Sequence, residues 1–590
     1  MLTAPVMDTK VAAGFHLAET VIYLFSVLFI WFSMRAFLKS REHQFKLFLT
    51  FGMTPGQLKL MIFLEHMLIG LIGTMTGLTL SLSFVKMVLL IAENVVGLDF
   101  RLYFYFPMKA LALTFGAFIA LFAVLSVCAG LFLDRERWIL FPQQWNKQSS
   151  KEPNASRPLA VSAPIFLAGG YGMALSLPES PSTFMIVCVV VSEAIGTYFL
   201  FDQLGVCIIH TYKRNRHFFW RRTNLLLLSD LANRMKDCAR TLFMISILFM
   251  IAMTAIGMMA GYQGMIKNRI SQENPFALVY ASSSGNMRET KDVAEIERAL
   301  EEHGIPFQRL QATIKELPIA KSNNSLRIIP ASEFNAIARA AGNVAVAPTG
   351  TQAILVPNDD SQGPVQGTGG STLRVGLLAL QVTGVMEAYS FPDFDSYLVV
   401  SDDVYALLND YTRKVSFHLF DVDDWRQTEG VARQLKQRFG PTGEGKVDFT
   451  FFSLTYTLGK IRQVYGGSLF ALFFIGAVFF AASWSFLYFR LYTNLQEDQR
   501  KFAVMNTIGL TDQELSKVIT LQLILLIFTP FFVALVHSSF AMMILQHAIQ
   551  YNLMKETMAV LGAFLTAHVF YFAAVRSAYV KRVKQSITYP

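Results

Sequence analysis

Few residue patterns in this chain could carry chemistry, and most of them fall short. Gly445-Lys446-Val447 and Gly459-Lys460-Ile461 contain the Gly-Lys pair of a phosphate-binding loop. Gly445-Lys446 has a glycine, Gly440, at the upstream position and Gly459-Lys460 does not, and neither pair is followed by the Ser/Thr that would hold a phosphate's magnesium. No His-Glu-x-x-His, no Gly-x-Ser-x-Gly and no supported pair of carboxylates occurs. The cysteines, Cys128, Cys188, Cys207 and Cys238, lie in apolar runs or at their ends, without Cys-x-x-Cys or Cys/His metal spacing. The expectation is a chain with no catalytic site, no metal and no bound cofactor of its own. One titratable residue stands out. Glu193 sits in the middle of an apolar run, where a charge costs a few kcal/mol. Two readings weigh equally: a proton relay or coupling pair, or an inward-facing carboxyl bonded to a neighbouring helix. Glu65 and Asp202 lie near the ends of such runs and are expected to reach interfacial water.

A second kind of pattern is repeated. Residues 45–58 read Phe45-Lys46-Leu47-Phe48-Leu49-Thr50-Phe51-Gly52-Met53-Thr54-Pro55-Gly56-Gln57-Leu58. About 457 residues later, residues 502–515 read Phe502-Ala503-Val504-Met505-Asn506-Thr507-Ile508-Gly509-Leu510-Thr511-Asp512-Gln513-Glu514-Leu515. Each has the local chemistry of a helix, a tight break and a second helix. Gly52 and Gly509 suit the left-handed position just past a helix end. Thr54 and Thr511 then read as N-caps, with Gln57 and Glu514 completing capping boxes and Pro55 at the first helical position. Before each break an apolar stripe forms, Phe45, Phe48 and Leu49 in one copy and Phe502, Met505 and Asn506 in the other. It either packs on the chain's own helix ends or docks into a groove on a soluble partner. Duplication favours docking, and two similar elements suit a two-fold symmetric partner.

The elements that position these residues cross a membrane. The chain has 590 residues, 53% hydrophobic and only 16% charged, with a mean hydropathy of +0.41. Soluble chains carry about a quarter charged residues. The excess gathers into nine runs, roughly 16–38, 60–92, 107–133, 159–178, 183–206, 240–262, 466–489, 516–548 and 557–580, long enough for a hydrocarbon core of ~30 Å. The first 15 residues lack the basic stretch of a cleavable signal peptide. Lysine and arginine fill alternate loops: Arg35 to Lys46, Arg135 to Arg157, Lys213 to Arg240, Arg490 to Lys517, and Lys581 to Lys584. By the positive-inside rule the N-terminus lies outside and the C-terminus in the cytosol, with both copies of the repeat cytosolic. Anchoring by that rule accounts for the net charge of +9, and no nucleic acid is invoked.

Four regions follow. Residues 1–133 hold three spans and the first repeat (41–58), and 466–590 hold three spans in the same order with the second (498–515). Aligning the glycines places Phe45 on Phe502, Thr50 on Thr507, Leu58 on Leu515 and Glu65 on Gln522. Residues 134–262 are a middle unit with a basic amphipathic stretch, 221–240, suited to a helix lying along the membrane surface or to a partner. Residues 263–465 are polar and form one external α+β domain. Asp292–Glu302 has helical spacing, 276–280 and 397–400 read as strands, and 358–371 is a flexible loop.

The stretch Lys39-Ser40-Arg41-Glu42-His43, running on to Gly52-Met53-Thr54 and a long span with Glu65, resembles the FtsX-like permease domain of ABC transporters. Gly196 to Phe201 in the fifth span, and Asn224 to Arg240 with Ser229-Asp230-Leu231 and Arg234 to Arg240, resemble the bacitracin-export type. The resemblance implies a polytopic helical membrane protein of about nine spans, where the family usually has ten, with one extracellular domain and two cytosolic coupling helices. The departure falls on the first helix: either the start is misassigned or truncated, or this member works with nine spans. The resemblance further implies two copies of a cytosolic ATPase, which bring ATP and magnesium, docked at Glu42, Phe45, Phe48, Leu49, Gly52, Met53 and Thr54 and at Phe502, Met505, Gly509, Leu510 and Thr511. It implies a place in a bacterial plasma membrane. The implied role is removal or sensing of peptide antibiotics at lipid-linked cell-wall precursors, in some members with a membrane histidine kinase. A purely regulatory output to an external enzyme or kinase is the alternative. A third reading is an ATP-independent transporter using Glu193 as its proton site. The ligand is not legible in these residues.

Overall fold

The structure is a computed structural model of the whole chain. It describes residues 9–96, 106–135, 156–176, 178, 182–220, 224–273, 275–318, 325–356, 372–375, 378–386, 397–409, 411–439, 448–507 and 509–588. The expected loop 358–371 and the Gly445-Lys446 pair lie outside these residues. The chain divides into two compact units, Met1–Gly264 with Val464–Pro590, and Met265–Gln463.

The first unit begins with α1 (Thr9–Ser40), α2 (Glu42–Thr50), α3 (Pro55–Val96) and α4 (Met108–Arg135). It continues with α5 (Arg157–Leu175), α6 (Thr183–Phe199), a π-helical turn (Leu200–Leu204), α7 (Gly205–Arg214), α8 (Arg216–Phe219) and α9 (Asn224–Glu273). Among the described residues nine helices are long and apolar enough to cross a membrane, from Ala18–Leu38 to Met554–Gln585. The fifth of these runs through the π turn to Arg214, eight residues past its expected end.

The amphipathic stretch 221–240 departs from expectation. Residues 224–240 are no separate surface helix but the first turns of α9, which continues unbroken through the sixth span. No glycine or proline interrupts residues 224–256, so nothing stops the helix between the basic stretch and the apolar one. Leu228, Leu231 and Met235 pack into the main core instead of lying against lipid.

Among the described residues the second unit is a nine-stranded sheet with helices on both faces. Its elements are β1 (Leu278–Ser283), α10 (Glu289–Glu302), β2 (Gln308–Pro318), β3 (Ser325–Pro330), α11 (Ala331–Ala340), β4 (Gln352–Val356), β5 (Thr372–Val375), β6 (Leu378–Val385), β7 (Tyr397–Val400), α12 (Asp402–Leu407), β8 (Arg413–Asp421), α13 (Glu429–Phe439) and β9 (Phe449–Ser453). Strand order is β5-β6-β4-β7-β3-β2-β8-β1-β9. The β3–β7 and β4–β6 pairs are parallel and the others antiparallel. Alternation along the strands divides the apolar residues between two faces. Val279, Phe417 and Leu419 meet Phe334 and Ile337 of α11, whereas Leu278, Tyr280 and Phe420 meet Ile296 of α10 and Leu435 of α13. Inside this layer Lys315 is buried. Its ammonium donates to the carbonyls of Tyr405 at 2.8 Å and Leu408 at 2.9 Å, and burial lowers its pKa from the usual lysine value, with Lys414 adding to the effect.

The chain then returns as α14 (Leu454–Thr507), α15 (Asp512–Ile549) and α16 (Met554–Thr588). These three helices share the largest core with α1 and α9, through aromatic contacts such as Phe25 on Phe479 at 4.6 Å and Phe249 on Phe531 at 5.4 Å. Pro530 interrupts the hydrogen-bond ladder of α15, and its own carbonyl accepts from Ser246 of α9 at 3.1 Å.

Candidate functional site

The two repeats fold into the same joint, bond for bond. Gly52 has φ +97° and Gly509 φ +105°, in the region that only glycine enters without strain. In the first copy the N–H of Met53 donates to the carbonyl of Phe48 at 3.1 Å, and that of Gly52 to Leu49 at 3.1 Å. In the second, Leu510 donates to Met505 at 3.2 Å and Gly509 to Asn506 at 3.0 Å. Both are Schellman ends, with the residue after glycine closing back on the last turn. The next helix is capped alike. The N–H of Gln57 donates to Thr54 Oγ1 at 3.4 Å, and the N–H of Thr54 to Gln57 Oε1 at 3.0 Å. The N–H of Glu514 donates to Thr511 Oγ1 at 3.4 Å, and the N–H of Thr511 to Glu514 Oε2 at 3.3 Å. Each joint thereby satisfies backbone groups that a helix end leaves bare.

The joints differ in how they are held. Glu42 opens α2, a separate helix of nine residues, because the chain breaks at Arg41, whose guanidinium pairs with Glu65 of α3 and lies 4.7 Å over the Phe37 ring. Glu65 therefore has a protein partner in addition to any water. The second copy has no such break, and its stripe is the last part of the 54-residue helix α14. There Gln522, the counterpart of Glu65, donates at 2.8 Å to Asp230 of α9, which also pairs with Lys501. Asp230 thus ties α9 to both arms of the second joint, a role its sequence surroundings did not announce.

The apolar stripes are divided by the structure. Phe45 and Phe502, 6% and 1% exposed, point into the protein's own bundle. Phe45 meets Leu38, Leu58, Ile62 and Ala129, with Leu49 and Met53 packed alongside, while Phe502 joins the main core with Leu515, Met505 and Leu510. The expectation that the whole stripe forms one docking face is corrected for these residues, since helical spacing marks a face without saying which neighbour covers it. What stays outside is Phe48 with two residues the sequence reading passed over, Leu47 and Phe51, and Val504 in the second copy. Phe51 is 81% exposed and Val504 61%. Leu47 and Val504 each stand one residue before a member of the stripe, Phe48 and Met505, and Phe51 stands at the helix end.

Glu193 is buried in α6 and is not alone. A carboxylate oxygen lies 3.5 Å from His537 Nδ1 of α15, and the same nitrogen is 3.1 Å from the Tyr171 hydroxyl of α5. The Thr197 hydroxyl donates to the Glu193 carbonyl at 2.6 Å and lies 2.7 Å from His537 Nε2. Its single proton is thereby used, so the network assigns the ring proton to Nε2, donating to Thr197. Nδ1 then accepts from Tyr171 or, in the protonated ring, donates to Glu193. His537 and Tyr171 were absent from the sequence reading, and Thr197 entered it only within the stretch Gly196 to Phe201, although a histidine in an apolar span was a signal of the same kind as Glu193.

Comparisons with known proteins bear on these joints. The family described as FtsX-like permease C-terminal matches residues 18–133 and 473–587, one stretch around each joint. The ABC transporter permease protein YxdM of Bacillus subtilis is 30% identical over 587 residues, covering 97% of this chain and 91% of that protein. The ABC transporter permease YvcS of the same organism is 25% identical over 592 residues, covering 96% and 90%. The bacitracin export permease protein BceB of Halalkalibacterium halodurans is 22% identical over 586 residues, covering 91% and 87%. A duplicated three-helix unit with one joint in each half, matched along almost its whole length, leaves one conclusion: the chain belongs to the FtsX-like permeases of ABC transporters.

Proposed function

We propose that this multi-pass permease subunit converts ATP hydrolysis by two copies of a partner ATPase into the removal or sensing of a peptide antibiotic at the cell membrane. The family implies the ATPase. The duplicated joint carries the rest of the coupling argument: two matched helix breaks, each leaving apolar surface exposed, offer two footholds of unequal size. The footholds are Leu47, Phe48 and Phe51 in one joint and Val504 in the other, with Phe45 and Phe502 holding each joint to its bundle. The basic flanks of both joints support a cytosolic location for them, with the N-terminus outside. The likeness to bacitracin export permeases, at 22% identity, supports a peptide cargo or signal. Glu193 serves in this reading as an inter-helix contact of the moving bundle.

The test is co-purification with the ATPase from membranes. Phe51→Asp combined with Val504→Asp is expected to abolish capture while leaving thermal stability unchanged, because both side chains are exposed. Phe45→Asp is expected to unfold its joint first, lowering stability by about 3 kcal/mol or more. Full capture by the stable double variant would refute the footholds.

A further inference from the structure

Beside the second joint, the end of α16 and Ser516 at the start of α15 line an open groove of about 500 Å³. Arg576, Lys581 and Lys584 line it, together with the hydroxyls of Ser516 and Ser577 and the amide of Gln585. None of its lining residues is acidic. Arg582, the remaining cation of this stretch, is directed elsewhere and lies 5.5 Å over the Tyr492 ring of α14. Among the described residues neither Arg576 nor Lys581 has a carboxylate partner. Arg576 instead donates to Thr520 Oγ1 at 3.0 Å.

That bond sets the depth of the groove. Arg576 lies 22 residues beyond Met554, the first residue of α16, a rise of ~33 Å at 1.5 Å per residue. The hydrocarbon core is ~30 Å thick, so the guanidinium stands where apolar span gives way to headgroups. Thr520 lies nine residues into α15 from the Thr511 cap, ~13 Å on the membrane side of the joint. The groove begins at that level and runs outward towards the joint, since Ser516 lies five residues past the Thr511 cap and Lys584 lies beyond Arg576 on α16. Positive charge at a span end follows from anchoring alone, but a groove with two cations that have no carboxylate partner among the described residues and three neutral hydrogen-bonding groups does not.

We infer that this groove binds the phosphate headgroup of an anionic phospholipid, held by Arg576 and Lys581 and clamped between α15 and α16. The lipid would bridge two helices of the second joint's unit, which makes the site independent of whether an ATPase docks on the exposed side chains. Basic pockets between membrane helices are a recurrent solution for such headgroups, because two or three cations at the surface add their attractions to one diester.

The experiment places the full-length chain in nanodiscs of phosphatidylcholine with a minority of phosphatidylglycerol and counts retained lipids by native mass spectrometry. Phosphatidylglycerol should be enriched on the protein. Arg576→Gln with Lys581→Gln should lower the enrichment on the order of tenfold, Arg576→Lys should keep most of it, and Lys555→Gln, at the opposite end of α16, should not change it. If the double variant misfolds, Lys581→Gln alone, an exposed side chain without an ion pair among the described residues, should still lower retention severalfold. Equal enrichment in the Gln variants, or an equal loss in Lys555→Gln, overturns the site. Displacement of the lipid by inorganic phosphate at matching concentration overturns the lipid assignment in favour of a free anion.

Discussion

His537 of α15 places one ring nitrogen within 3.5 Å of the Glu193 carboxylate and 3.1 Å of the Tyr171 hydroxyl. The C-terminal unit thereby makes a polar contact with the α5–α6 pair inside the bundle, and every participant has a partner. Buried polar groups are costly when one partner is removed and nearly neutral when all are replaced. His537→Leu is therefore expected to lower the unfolding free energy by about 3 kcal/mol. Glu193→Gln, which keeps a hydrogen-bonding group in place, should cost only about 1 kcal/mol. Combining His537→Leu with Glu193→Leu should recover much of the loss. Thermal unfolding in detergent reads all three, and a double variant worse than the sum of its singles would refute the pairing.

The two glycines at the joints should behave as one. A Cβ at Gly52 or Gly509 meets no atom within 4 Å, so any penalty comes from the left-handed backbone alone. Gly52→Ala and Gly509→Ala should each cost ~1–2 kcal/mol. Gly56 is equally open but lies in the first turn of α3 without a positive φ, so Gly56→Ala should be neutral or slightly stabilising. Equal effects at Gly52 and Gly56 in the same unfolding assay would remove the backbone argument.

The joints should also differ in mobility. Phe45 belongs to a cluster of five buried side chains, whereas Phe502 is part of the main core shared by five long helices. Asp230 adds ion-pair and amide contacts to the second joint from α9. Local opening follows the density of buried contacts. Amides of residues 45–50 should therefore exchange with deuterium faster than those of residues 502–507. Asp230→Ala should narrow the difference by loosening the second joint only, and equal exchange rates in the unmodified protein would contradict the asymmetry.

Much of this protein follows from local chemistry. Runs of apolar residues longer than a bilayer mark the spans, because hydrocarbon tolerates little else. The breaks at Gly52 and Gly509 are equally legible, since a glycine, a threonine and a Gln or Glu three residues later satisfy helix ends through bonds within a few residues. The helix at Glu289–Glu302, expected over Asp292–Glu302, was readable from helical spacing, and the strand at Tyr397–Val400 from its short apolar run.

What only the tertiary structure decided involves partners far apart in the chain. Periodicity put Phe45, Phe48 and Leu49 on one stripe, but packing against Leu58 and Ile62 buried Phe45 and left Phe48 and Phe51 outside. Glu193 was conspicuous alone, yet His537 stands 344 residues away in the sequence, and no local rule joins them. The continuity of α9 through residues 224–273 was likewise missed, because charge suggested a surface helix where the absence of any breaker let it run on. Residues within one or two turns interact whatever surrounds them. Which side chains are covered, and by what, is set by helices that meet only after the chain has folded.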